Sequence, residues 1–201
     1  MLIYLATSNR GKLRDLRSIA LSHPDITLEL IPETALRPSP EETGDTFEAN
    51  ARLKAAEYSL RIPNALVLAD DSGLEVDALN GAPGVHSARY ASTDLAANSQ
   101  DSANNDKLLR ELADTHDANR NARFVCVLAL ARDGMVTHVA QGTVDGVILR
   151  ELRGTAGFGY DPLFFLPELN RTFGEISAKQ KGAYSHRGRA FRSLLAQLTS
   201  G

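Results

Sequence analysis

The residues best suited to chemistry fall in a few short segments. Asp70 and Asp71 are adjacent where the apolar run Ala65-Leu-Val-Leu-Ala69 gives out. Two ionised carboxylates about 4 Å apart repel by roughly 4 kcal/mol at an effective dielectric near 20. A hard divalent cation offsets that repulsion, and oxygen ligands are what magnesium takes. Glu41 and Glu42, in a loop upstream, are further acids able to converge on such an ion. The run Asp-Asp-Ser-Gly also suits a plain turn, with one Asp capping it and the other facing water.

Other segments offer groups for an anion. Thr7-Ser-Asn-Arg-Gly-Lys12 lies between an apolar run and a helical pattern. A helix start presents free N–H groups and the positive end of its dipole, which suits a phosphate. Lys12 adds a charge, and Thr7, Ser8 and Asn9 add side-chain hydrogen bonds. The alternative is an ordinary strand-to-helix turn capped by Asn9. Residues 177–193 hold Lys179, Lys181, Arg187, Arg189 and Arg192 and no acid. Cations in the first turn of a helix oppose its dipole, which suggests an anion there. The alternative is a solvated face with salt bridges to other segments. Phe158-Gly-Tyr-Asp161 could form a wall for a base, since bases stack on aromatic faces, or could be a core ring and a turn. Lys54, four residues after Asn50, shares its helix face. His23, His86, His116 and His138 show no metal-ligand spacing.

These groups need elements to hold them. Residues 2–6 read as a strand and Leu13, Leu16 and Ala20 as a helix face; Ile26, Leu28 and Leu30 alternate as a strand. Residues 32–46 read as a loop. A helix is expected from near Asp45, with Asp45 and Glu48 as a capping pair, to before Pro63. A strand covers 65–69 and ends at Asp70; residues 80–93 read as a long loop, and 107–113 as a short helix. Strands follow at 123–131, 135–140 and 142–149, the first two joined by a tight turn at Asp133-Gly134. Phe164 and Phe165 sit in a short strand. A last helix starts near Ser185 and buries Phe191, Leu194, Leu195 and Leu198. The pattern is α/β with a mixed sheet, in one domain spanning 1–201.

Composition narrows the function. Hydrophobic residues make up 43% of 201, and the net charge of −3 argues against a general nucleic-acid binder. The single cysteine, Cys126, excludes an internal disulfide and fits a reducing compartment. There is no stretch of about 20 apolar residues to span a membrane, and the N-terminus lacks the build of a signal peptide. A cytoplasmic protein is expected.

Five blocks in order resemble the inosine triphosphatase family, also called dITP/XTP pyrophosphatases or Ham1-like proteins, in its bacterial form. They are Thr7-Ser-Asn-Arg-Gly-Lys12, Glu41-Glu-Thr-Gly-Asp-Thr-Phe-Glu-Ala-Asn50, the stretch from Ala69-Asp-Asp-Ser-Gly to Ala88-Arg-Tyr90, Gly157-Phe-Gly-Tyr-Asp-Pro-Leu-Phe164 and Ser185-His-Arg-Gly188. The resemblance implies an elongated mixed sheet flanked by helices, in two lobes with a central cleft, and a homodimer. It implies hydrolysis of dITP, ITP and XTP to the monophosphate and pyrophosphate with Mg2+, clearing deaminated purines from the nucleotide pool.

By the same resemblance, Thr7, Ser8, Asn9, Arg10, Gly11 and Lys12 would hold the triphosphate, assisted by Lys54. Asp71 would be the proton acceptor and a metal ligand, Glu42 a second ligand, and Asp70 their acidic support at the metal. Ser72 would touch the substrate. Phe158, Gly159, Tyr160 and Asp161 would frame the base, and Lys181, His186 and Arg187 would complete the site. The reading requires Asp71 to lie near Lys12 and Arg187. Residues 92–122 match the family poorly and are expected to be a variable surface. The rival functions are a pyrophosphatase for pyrimidine or methylated nucleotides, a nucleotide-binding regulator without catalysis and, against the net charge, an RNA-binding module.

Overall fold

A computed structural model describes residues 1–32, 35, 38–91 and 97–199. The rest of the expected 32–46 and 80–93 loops, and residues 92–96, lie outside the described residues. Seven strands form one sheet in the order β2-β1-β3-β4-β5-β6-β7. They are β1 (Leu2–Leu5), β2 (Thr27–Leu30), β3 (Val67–Val76), β4 (Asn121–Arg132), β5 (Met135–Ile148), β6 (Phe164–Leu166) and β7 (Arg171–Thr172). β1 pairs in parallel with β2 and β3, whereas β5–β6 and β6–β7 are antiparallel, so the sheet is mixed. The helices are α1 (Arg10–Ala20), α2 (Phe47–Leu60), α3 (Ala97–Glu111), α4 (Ala178–Tyr184) and α5 (His186–Thr199).

The chain divides into two compact units. The first comprises Met1–Asp71, Cys126–Thr143 and Gly182–Gly201; the second comprises Ser72–Val125 and Val144–Lys181. In the first, β4 is apolar on both faces, as a covered inner strand must be. Cys126, Leu128 and Leu130 join Ile3, Leu5 and Leu68 with Leu16 and Ile19 of α1 and Phe191 and Leu194 of α5. Each fully buried side chain of this size contributes about 1.5–3 kcal/mol. In the second unit the rings of Phe124, Phe164 and Phe173 cluster, the last two stacked at 5.4 Å.

Several boundaries differ from expectation, each for a physical reason. β3 does not end at Asp70; it runs through Asp70-Asp71-Ser72-Gly73 to Val76, because both carboxylates find cations without leaving the strand. Residues 135–149 form a single strand to Ile148. Gly142 is no break: His186 O and Ala190 N of α5 occupy the place a Cβ would take. The cap of α2 is Thr46, whose Oγ1 accepts from the Ala49 N–H at 3.1 Å, while Glu48 pairs with Arg52. α3 is 15 residues long, not a short helix at 107–113, and α4 is a helix that the sequence pattern does not predict. The tight turn holds: Asp133 (φ 50) and Gly134 (φ 83) have the two positive φ values of a type I′ hairpin. Ser185 caps α5, its Oγ accepting from the Gly188 N–H at 3.1 Å.

Candidate active site

In the first unit, adjacent strand residues point to opposite faces, and the two aspartates use that. Asp70 meets Lys12 Nζ of α1 at 3.2 Å and Arg187 Nε of α5 at 3.5 Å. Asp71 meets Lys54 Nζ of α2 at 2.9 Å and accepts from Asn50 Nδ2 at 3.3 Å. The repulsion expected of the pair is offset by a separate set of cations for each member. Lys12 and Arg187 thus meet Asp70, and the charge of Lys12 also acts on Asp71.

The same contacts set the protonation of each group. Burial pushes the Asp70 carboxyl up, but Lys12, Arg187 and Lys54 together outweigh it and hold it at about 2. Burial also pushes Asp71 up, and there it prevails: Lys54 and Lys12 pull down, Glu42 pushes up, and the carboxyl ends above its ordinary value. Burial alone would lower the Lys54 ammonium, yet Asp71, Asp70 and Glu42 raise it. A carboxylate that binds a proton more readily than usual is a better base.

Lys54 Nζ also meets Glu42 Oε1 at 2.8 Å. Glu42 and Asp71 therefore already share one cation, and their oxygens are hard donors of the kind magnesium takes. No group of three or more His, Cys, Asp or Glu gathers for a metal among the described residues. Magnesium in phosphate sites needs only one or two carboxylates beside substrate oxygens, so this pair fits it. Asn50 steadies the arrangement. Its Oδ1 accepts from the Gly44 N–H at 2.8 Å and its Nδ2 donates to Gly44 O at 3.1 Å, fixing the loop that carries Glu42.

The loop at 7–12 carries its own cap. Asn9 Oδ1 accepts from the N–H groups of Gly11 and Lys12, and Thr7 Oγ1 accepts from that of Asn9. Two of the donors expected to face an anion are engaged by Asn9. Ser8 and Arg10 are exposed. Of the cations at the start of α5, Arg187, 2% exposed, is matched by protein acids, for it also meets Asp15 Oδ2 of α1 at 2.7 Å, while Arg189 and Arg192 donate to backbone carbonyls. His186 is buried beside it.

In the second unit, Ser72 lies on β3, half-buried. Asp161 Oδ2 accepts from the Phe158 N–H at 2.8 Å and from Lys181 Nζ at 2.6 Å, a buried ion pair. Lys181 Nζ stands 4.6 Å from the centre of the half-buried Phe158 ring, close enough for a cation–π contact. Tyr160 is buried and its hydroxyl donates to Ser87 O at 2.9 Å; burial raises its pKa above the ordinary value. Gly159 is held by Asp101 and Asn105 of α3.

The expected residues thus gather as Glu42, Lys54 and Asp71; as Lys12, Asp70 and Arg187; and as Phe158, Asp161 and Lys181. Sequence reasoning missed Asp15, Asp101 and Asn105, and placed Asn50 only on the helix face it shares with Lys54. The one usable signal was Asn50 at helical spacing from Lys54.

Comparison with known proteins bears on the whole chain. The Ham1 family model matches residues 3–197. The chain is 48% identical over 200 residues to a dITP/XTP pyrophosphatase of Exiguobacterium sibiricum, covering 100% of this chain and 98% of that one. It is 50% identical to a dITP/XTP pyrophosphatase of Acidobacterium capsulatum, covering 98% and 97%. The Staphylococcus aureus Ham1 protein superposes with a TM-score of 0.83 at 44% identity, covering 100% of this chain and 99% of that one.

Proposed function

The chain belongs to the Ham1 family, and from that premise we propose that it hydrolyses dITP, ITP and XTP to the nucleoside monophosphate and pyrophosphate. The observation that carries the reading is the single cation shared by Glu42 and the buried, proton-avid Asp71. Magnesium held by Glu42 and Asp71 would neutralise triphosphate oxygens and make the phosphorus more electrophilic. Asp70, fixed by Lys12 and Arg187, supports them from the same strand.

Asp71 takes a proton from a water that attacks the α-phosphorus. The bond from that phosphorus to the α–β bridging oxygen breaks, and pyrophosphate leaves with the electron pair. Lys12 and Lys54 stabilise the charge growing on it. Residues 7–12 receive the triphosphate, and Phe158 stacks on the base with Gly159, Tyr160 and Asp161 framing it. Ser72, Lys181, His186 and Arg187 complete the nucleotide contacts. A hydrogen bond to the 6-oxo group separates these purines from adenine, where a mismatched buried donor costs about 1–3 kcal/mol. The reading includes a homodimer, and a cytoplasmic place beside the nucleotide pool. Among the described residues no helix is long and apolar enough to cross a membrane.

Pyrophosphate release over a panel of triphosphates, with and without magnesium, tests this. Fastest turnover is expected for dITP, ITP and XTP with magnesium. Equal or faster release from dTTP or UTP, or none from ITP, would overturn the reading.

A further inference from the structure

Helix α3 carries a buried polar face. Gln100, Asn104 and Asn105 are buried and Asp101 is half-buried, and their spacing puts them on one side of the helix. Asn104 serves the segment after β3: its Nδ2 donates to Ser87 O and Ala88 O, and its Oδ1 accepts from the Ala91 N–H at 2.8 Å. Asp101 and Asn105, one turn apart, serve Gly159. Asp101 Oδ2 accepts from the Gly159 N–H at 2.8 Å, and Asn105 Nδ2 donates to Gly159 O at 3.0 Å.

Those two backbone groups belong to successive peptide planes. Holding both fixes the two soft dihedrals of Gly159. The constraint is needed, because Gly159 has φ +59 and only open space where a Cβ would sit. On one side of this joint is Tyr160, anchored to Ser87; on the other is the half-buried ring of Phe158. Asn105 Oδ1 is buried with no hydrogen-bond partner among the described residues. A buried orphan acceptor is unfavourable, so stability alone is a poor reason for Asn at this position.

We propose that Asp101 and Asn105 are positioning residues for the base, locking Gly159 so that the Phe158 ring presents one fixed face. The inference rests on the reading of Phe158 as the stacking wall.

Steady-state kinetics on the full chain test it, with Asp101→Ala, Asn105→Leu and Asp101→Asn beside wild type, and with tripolyphosphate as a base-free competitive inhibitor. Asp101→Ala and Asn105→Leu should each raise KM for ITP about tenfold, the scale of one lost hydrogen bond. Their kcat should stay within about threefold of wild type, and the inhibition constant of tripolyphosphate should not move. Asp101→Asn keeps an acceptor oxygen and should return KM to within about twofold. The proposal fails if both disruptive variants keep KM within about twofold, or if inhibition by tripolyphosphate weakens in step with KM, the mark of general damage. A wild type that releases no pyrophosphate from ITP overturns the functional reading and this inference with it. An active wild type with unmoved variants overturns this inference alone.

Discussion

The charged cluster of the first unit and the aromatic loop of the second hold their groups by different means. Asp70, Asp71, Lys12, Lys54 and Arg187 are placed by one another, side chain to side chain, in buried or partly buried ion pairs. The loop at 158–160 is placed largely through its backbone, which donates to Asp161 and Asp101 and accepts from Asn105. Removing a member of the first arrangement takes a counter-charge away from its neighbours. Removing a member of the second loosens a joint.

Asp71→Asn draws the sharpest line. Loss of a general base lowers turnover by about 10²–10⁴-fold, read as pyrophosphate release. The fold should survive, because Lys54 keeps Glu42 as a partner. The raised carboxyl also means that charged Asp71 costs stability above its folded pKa, a cost relieved as pH falls through that value. An Asp71→Asn protein that unfolds with wild-type activity per folded molecule would erase the distinction between chemistry and scaffold.

Its neighbour should behave in the opposite way. Asp70→Asn takes from Lys12 its acid on β3 and leaves Arg187 with Asp15 alone, and should cost about 2–3 kcal/mol in urea unfolding. With its folded pKa depressed to about 2, Asp70 contributes stability that is present above its ordinary value of 3.8 and lost as pH falls through 2. The acid limb of a pH–stability curve should therefore flatten in Asp70→Asn between those values. An unchanged limb would show that the ion pairs of Asp70 do not govern it.

The smallest effect belongs to the second region. Tyr160→Phe removes one hydroxyl bond to Ser87 O, an oxygen that still accepts from Asn104. The expected cost is about 1 kcal/mol, read from the shift in urea midpoint. A loss as large as that of Asp70→Asn would mean that the loop, too, depends on a single indispensable contact.

The difference between the regions also decided what could be read in advance. Charges clustered at 70–71 and 177–193 stand out in a sequence, as do the Asp133-Gly134 turn and the Ser185 cap. Asp15 did not stand out: it lies among arginines on α1 like a solvated residue, and only the fold buries it against Arg187. The extent of β3 was misread because Ser72-Gly73 has the composition of a turn, while partners distant in sequence keep its carboxylates in the strand. α3 was misread more completely. Apolar periodicity reveals helices that bury hydrocarbon, and this one buries Gln100, Asn104 and Asn105; only its leucines near 108 were visible. The residues proposed to steady the base lie in the stretch whose sequence looked least informative.

Cys126 lies in the middle of β4, wholly buried, its thiol pushed up to about 12 by burial and the nearby Asp70 carboxylate. A sulfur so enclosed and so rarely ionised is inert toward alkylating reagents while the strand is seated. It is also the sole thiol of the chain. Nature has thus left a built-in clock in the innermost layer: each modified molecule records one occasion on which that layer came apart.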